Sequence, residues 1–165
     1  MALAPQKRRE LLFLLLYSSD FGSCEEVSTV VMEQLAITKK NVREAQEILE
    51  KILARRDEVD ILIRHHSKSY EFERIPGIER NVLRIGVYEM LFSKEIPPKV
   101  AISESIRLAR KFATAESATF VNAVMDSLYR TQIEACPDLK KELQLVLHQA
   151  HNEELDLSDN SGPGA

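Results

Sequence analysis

The chain has 165 residues, a formal charge of -4, 44% hydrophobic residues, two cysteines and five glycines. That length suits one domain with a real core, or two small helical groups sharing one. The acidic balance excludes a chain-wide basic nucleic-acid binder, so any RNA contact must come from a local patch.

The first helix is expected to open near Pro5, a favoured first-turn residue. Lys7, Arg8 and Arg9 then form a basic cluster at the helix end where the dipole favours acids. Cations placed where the helix gains nothing from them point to an external anion, against the plainer reading of a solvated basic end. Leu11, Leu12, Leu14, Leu15 and Leu16 are expected to bury the body of this helix, with a stop at Phe21-Gly22. The apolar run Leu11–Tyr17 is too short to span a bilayer. It follows basic residues like a signal peptide, but no small-residue cleavage site comes after it. A cytoplasmic protein, not a membrane one, is the expectation.

A second helix is expected over Cys24–Leu35, with Val27, Val30, Val31 and Leu35 spaced for burial. Asn41 suits the N-cap of a long third helix running to Arg64. Its stripe is Val42, Ala45, Ile48 or Leu49, Ile52, Val59, Leu62 and Ile63, with Glu47–Lys51 as a surface i,i+4 pair. His65 and His66 fall at its C-terminal end. Adjacent helix positions point apart, so a helix-end or surface role outweighs metal binding. Ser67–Arg74 reads as a connector pinned by Phe72 and Ile75.

Pro76-Gly77 opens the next helix, with Ile78, Val82, Leu83, Ile85, Val87 and Met90 at steps that mostly fit a helical face. Pro97-Pro98 ends it. Val100–Phe112 follows, with Ile102, Ile106, Ala109 and Ala113 expected inward. Glu116–Tyr129 comes next, with Val121, Val124, Met125 and Leu128 inward. Three such apolar faces must pack on one another and on further helices. A last amphipathic helix is expected over 138–150, and an acidic, then Ser/Gly/Pro-rich tail over 151–165 is expected to be disordered. No useful strand alternation occurs. The fold class is therefore all-α: a compact bundle of about seven helices. It forms one domain over 1–150, in two packed subdomains at 5–64 and 67–129.

No Gly-rich phosphate loop, nucleophile elbow or metal-ligand spacing is present, and Cys24 and Cys136 read as reduced thiols. With no convergent acid, base and nucleophile, the chain reads as a non-enzymatic binding protein without a cofactor. Arg80, Arg84 and Tyr88 recur every four residues on one helix. Guanidinium groups there suit phosphates, and the aromatic suits a stacked base. The structural alternative pairs Arg84 with Glu104 or Glu89. Arg107, Arg110 and Lys111 form a second positive face. Phe120 is either a stacking platform or core.

Three words, NVLRIGVYEML at Asn81–Leu91, KVAISESIRLARKF at Lys99–Phe112 and FVNAVMD at Phe120–Asp126, resemble the NusB family of transcription antitermination factors. So does the basic cluster ahead of ELLFLLLYSSD. The resemblance covers about Lys7 to Tyr129 and is weakest between Ser23 and Ser69. It implies a NusB-like helical fold and binding of boxA RNA, a short single-stranded element of ribosomal RNA leaders. That binding would be shared with the ribosomal protein NusE, in an RNA polymerase antitermination complex that reads through terminators. Carried over by position, Lys7, Arg8 and Arg9 match the basic motif, with Gln6 a departure from its arginine-rich form. Phe120 and Glu116 match positions near RNA. Tyr17 and Glu79 match the NusE-facing side, and Gly86 and Ala123 match sites of close helix approach. Arg80 and Arg84 join the RNA candidates from the residue pattern alone. The family includes monomers and homodimers, so a homodimer stands beside a monomer. Two alternatives are kept. One is a stand-alone module related to the N-terminal region of rRNA cytosine methyltransferases, here too short to carry a methyltransferase domain. The other is a purely protein–protein adaptor.

Overall fold

The computed structural model describes residues 2–22 and 24–134, and of residues 24–27 the backbone alone. The helix expected over 138–150, the tail and Cys136 lie outside the described residues. Seven α-helices occur among them: α1 (Pro5–Ser19), α2 (Cys24–Leu35), α3 (Lys39–Ala54), α4 (Arg56–His66), α5 (Gly77–Leu91), α6 (Pro98–Phe112) and α7 (Ala115–Tyr129). A 3-10 turn at Phe72–Arg74 links α4 to α5. No described helix is long and apolar enough to cross a membrane. The chain divides into two compact units, Met1–Ser127 and Leu128–Ala165. The packing that follows belongs to the first.

Helix α5 is the centre. Every residue from Asn81 to Val87 is buried, as are Glu89 and Met90. It contacts α1, α3 and α4 of the first expected group and α6 of the second. A helix enclosed on all sides must bring its polar residues inside already paired, and the paired carboxylates and amide decide the site described below.

On α1, burial falls on Leu11, Leu12, Phe13, Leu15 and Leu16, while Leu14 is only half-buried. Phe13 takes the expected place of Leu14 because its ring stacks on Phe112 of α6 at 4.5 Å between centroids. Helix α2 buries less than its valines suggest, since Val30 is 52% and Leu35 50% exposed. The anchor is Ile37, just past the helix. Ala36 adopts φ +50°, and the Ile37 N–H reaches back to the Met32 carbonyl at 3.2 Å, a Schellman closure built on alanine.

Two boundaries differ from the sequence reading. Thr38, not Asn41, caps α3. Its hydroxyl accepts the Asn41 N–H at 3.3 Å, which puts Asn41 in the first turn. The long helix expected to reach Arg64 is broken at Arg55 (φ -109°, ψ 12°), and α4 restarts at Arg56. Asp57 and Glu58 sit in the new first turn and Arg64 in the last, each charge at its dipole-favoured end. His66 is not a surface residue: it is buried, with Nδ1 2.9 Å from the Ser127 hydroxyl. Phe72 and Ile75 are buried and pin the connector as expected.

Helix α6 is turned by about one residue from its expected orientation. Ala101, Ser105, Leu108 and Ala109 face inward, and Ile102 and Ile106 are only half-buried. Small residues face inward because α6 lies close to α5. A Cβ on Gly86 would collide with the Ser105 hydroxyl and come within 2.9 Å of Met125 Cε. Ala123, the other expected close-approach site, is exposed. In α7, Val121, Val124 and Met125 are buried as read from the sequence, and Leu128, the first residue of the second unit, is buried too.

Candidate nucleic-acid interface

Consecutive helix residues point about 100° apart, so a run of three cations cannot share one face. On α1, Lys7 and Arg8 are exposed and Arg9 is buried. Arg9 Nε donates to both oxygens of Glu89 on α5, at 2.8 and 3.1 Å, and its Nη1 lies 3.6 Å from Glu104 on α6. Burial pushes the Glu89 carboxyl above its usual range, and the Arg9 charge pulls against that shift. Arg9, expected at the RNA surface, is instead an internal tie among three helices.

The second expected positive face is also largely paired with the chain's own acids. Arg107 donates to Glu104 at 2.8 Å and to Glu10 at 2.7 Å, and Lys111 donates to Glu10 at 2.8 Å. Burial would raise the Glu10 carboxyl, but the hydrogen bonds from Lys111 and Arg107 win and hold it below its usual value. Arg110 stays exposed. Gln6, the departure in the basic motif, reaches Glu104 at 3.4 Å.

Arg84 needs the same correction. It is 7% exposed, and its Nε and Nη2 donate to the two oxygens of Asp60 at 2.8 and 2.9 Å. Nη1 donates to Asn81 at 3.0 Å and lies 3.5 Å from Asp20. Its partners are thus Asp60 of α4 and Asp20 beyond α1, rather than Glu104 or Glu89. Buried, and with three of its five N–H donors engaged, this guanidinium is not presented to a phosphate. Arg80, one turn earlier, is half-buried over the Phe72 ring at 5.5 Å, and its Nε is buried without a hydrogen-bond partner among the described residues.

Tyr17 lies where the end of α1 passes the start of α5 at Gly77, and Glu79, two residues on, faces Ser117 of α7. Tyr17 is half-buried, its ring between Phe13 at 5.9 Å and the 72%-exposed Phe21 at 5.2 Å. Gly77 keeps α5 close to it, since a Cβ there would stand 3.3 Å from Tyr17 Cε2. Glu79 accepts a hydrogen bond from the Ser117 hydroxyl, and its other oxygen is buried without a partner among the described residues. Phe120 is half-buried, edge-on to the exposed Tyr70 ring at 5.2 Å. Its ring partner is another aromatic. Glu116 is exposed.

One feature of the surface was not anticipated. A cleft of about 530 Å³ opens between the start of α1, Lys51 of α3, and the end of α5 with the loop after it. Tyr88 and Phe92 line it with Arg8, Lys51 and Lys94. In sequence Lys51 reads as the partner of Glu47, but no ion pair joins them; only the fold carries it to Arg8. Among the described residues no group of three or more His, Cys, Asp or Glu side chains is placed to hold a metal.

These features define a class: an all-α bundle that ties Arg9, Arg84 and Arg107 to its own acids and leaves other cations exposed, Lys7 and Arg8 at the start of α1 among them. Within that class the chain belongs to the NusB family, whose model matches residues 6–130. It is 37% identical over 134 residues to a transcription antitermination protein NusB from Clavibacter michiganensis subsp. michiganensis, covering 78% of this chain and 98% of that one. Another relative of that name, from Heliobacterium modesticaldum, is 36% identical over 129 residues; the match covers 77% of this chain and 63% of the relative's length. Among solved structures, T. maritima NusB superposes with a TM-score of 0.68 at 28% identity, covering 79% of this chain and 94% of that one. A complex of the antitermination factors NusB and NusE with double-stranded RNA matches with a TM-score of 0.64 at 28% identity, covering 76% and 95%.

Proposed function

We propose that this protein is a transcription antitermination factor that binds single-stranded boxA-type RNA of ribosomal RNA leaders together with NusE. The pair would join the RNA polymerase antitermination complex in the cytoplasm and let polymerase read through terminators. The protein acts by binding, with no bond made or broken. The observation that carries this reading is the family match across residues 6–130, supported by the likeness to a NusB–NusE–RNA complex. Lys7 and Arg8 are the exposed cations suited to phosphate, and the half-buried Arg80 and Phe120 are further RNA contacts. Arg9 and Arg84 support the RNA surface from inside, by tying α1 and α4 to α5. Tyr17 and Glu79 are the proposed NusE contacts.

Filter binding of boxA RNA and a scrambled RNA, each with and without NusE, tests the proposal. Preference for boxA that strengthens with NusE is expected. Equal affinity for the scrambled RNA in the presence of NusE contradicts it and favours the protein–protein adaptor.

A further inference from the structure

We propose that the cleft between α1, α3 and the end of α5 is a nucleotide-binding subsite for one unpaired RNA nucleotide. Its base would lie on the Tyr88–Phe92 ring pair, with flanking phosphates against Arg8, Lys51 and Lys94. This deepens the RNA-binding reading above and rests on it. Three observations converge. The cleft volume of about 530 Å³ falls in the range of small-molecule sites. Tyr88 and Phe92 stand 6.1 Å apart with their planes tilted by 36°, and Arg55 covers Phe92 at 4.5 Å and holds it in place. Arg8, Lys51 and Lys94 are exposed, and none makes an ion pair among the described residues.

The acids nearby do not cancel those charges. Glu89 is engaged by Arg9, which leaves Glu95 at the loop as the single exposed carboxylate lining the cleft. Free cations alone would suit an acidic peptide as well. The aromatic pair among them favours RNA, because an unpaired base has a π-face to stack and a protein carboxylate has none. Arg8 also belongs to the exposed end of α1, so the subsite continues the proposed phosphate path and extends it across α3.

The test uses the full chain with NusE and a boxA-type single-stranded RNA carrying 2-aminopurine at successive positions. At one position the fluorescence is expected to be quenched on binding, and Phe92→Leu should remove that quenching and weaken binding about five- to hundredfold. Phe92→Tyr, which keeps the ring, should restore both. Lys51→Glu and Lys94→Glu, on exposed side chains, should each weaken binding and lower the slope of log affinity against log salt by about 0.7. They carry the test if Phe92→Leu does not fold. Unchanged RNA binding in both lysine variants overturns the subsite while the broader reading stands. Loss confined to NusE binding, measured without RNA, overturns it in favour of a protein surface. Failure of the unmodified chain to bind RNA overturns the broader reading, and the subsite with it.

Discussion

At the scale of residues, the decisive event is the sorting of arginines. Helix geometry gives neighbouring positions different faces, so Arg9 goes in while Lys7 and Arg8 stay out. Once inside, Arg9 makes the Glu89 carboxylate tolerable. Replacing Arg9 with Met should cost about 3 kcal/mol near neutral pH, because it strands a buried carboxylate. The sign of the pH dependence follows from burial, which raises the folded-state pKa of Glu89 above its unfolded value. Stability is then fully present below the ordinary carboxylate range and is lost as pH rises through the elevated value. Urea unfolding of Arg9→Met should therefore show a smaller deficit near pH 5 than at pH 7.5. Adding Glu89→Gln should recover most of the loss at pH 7.5. An equal deficit at both pH values would mean that Glu89 does not sense Arg9. Sequence could not reveal this pairing, since Arg9 and Glu89 are eighty positions apart. The Arg84–Asp60 pair is hidden for the same reason.

At the scale of elements, helices were legible wherever the apolar period was strong. The inward face of α7 and the pinning of the connector by Phe72 and Ile75 follow directly from their spacing. Two kinds of signal were obscured. The break at Arg55 is marked by the acidic pair Asp57-Glu58, but the apolar stripe continues across it. The inward face of α6 is set by small residues, which periodicity weighs less than isoleucines. Gly86 explains that preference. Gly86→Ala should destabilise by about 1–2 kcal/mol in urea unfolding, as crowding against Ser105 and Met125 exceeds the gain in helix propensity. Unchanged or greater stability would show that α5 and α6 can part at little cost. The end of α2 predicts the opposite sign. Ala36→Gly relieves a left-handed alanine and should raise stability by roughly 0.5 kcal/mol, the steric gain exceeding glycine's extra unfolded-state entropy. A lower unfolding midpoint would contradict that.

At the scale of the whole molecule, an acidic chain must concentrate what positive charge it offers to RNA. Near the start of α1 this is done partly by subtraction, while other exposed cations lie elsewhere along the chain. Arg9, Arg84, Arg107 and Lys111 are held by its own carboxylates, and Lys7 and Arg8 remain at the start of α1. The family resemblance was readable from three sequence words. The division of cations into internal ties and free contacts was not, because it depends on which acids the fold brings near. The most direct test of this account is the salt dependence of boxA RNA binding, with NusE present, for the unmodified chain and for Lys7→Glu/Arg8→Glu. The double variant is predicted to bind at least tenfold more weakly and to flatten the log–log salt slope by about 1.4, at unchanged thermal stability. The same slope and affinity in both proteins would contradict it.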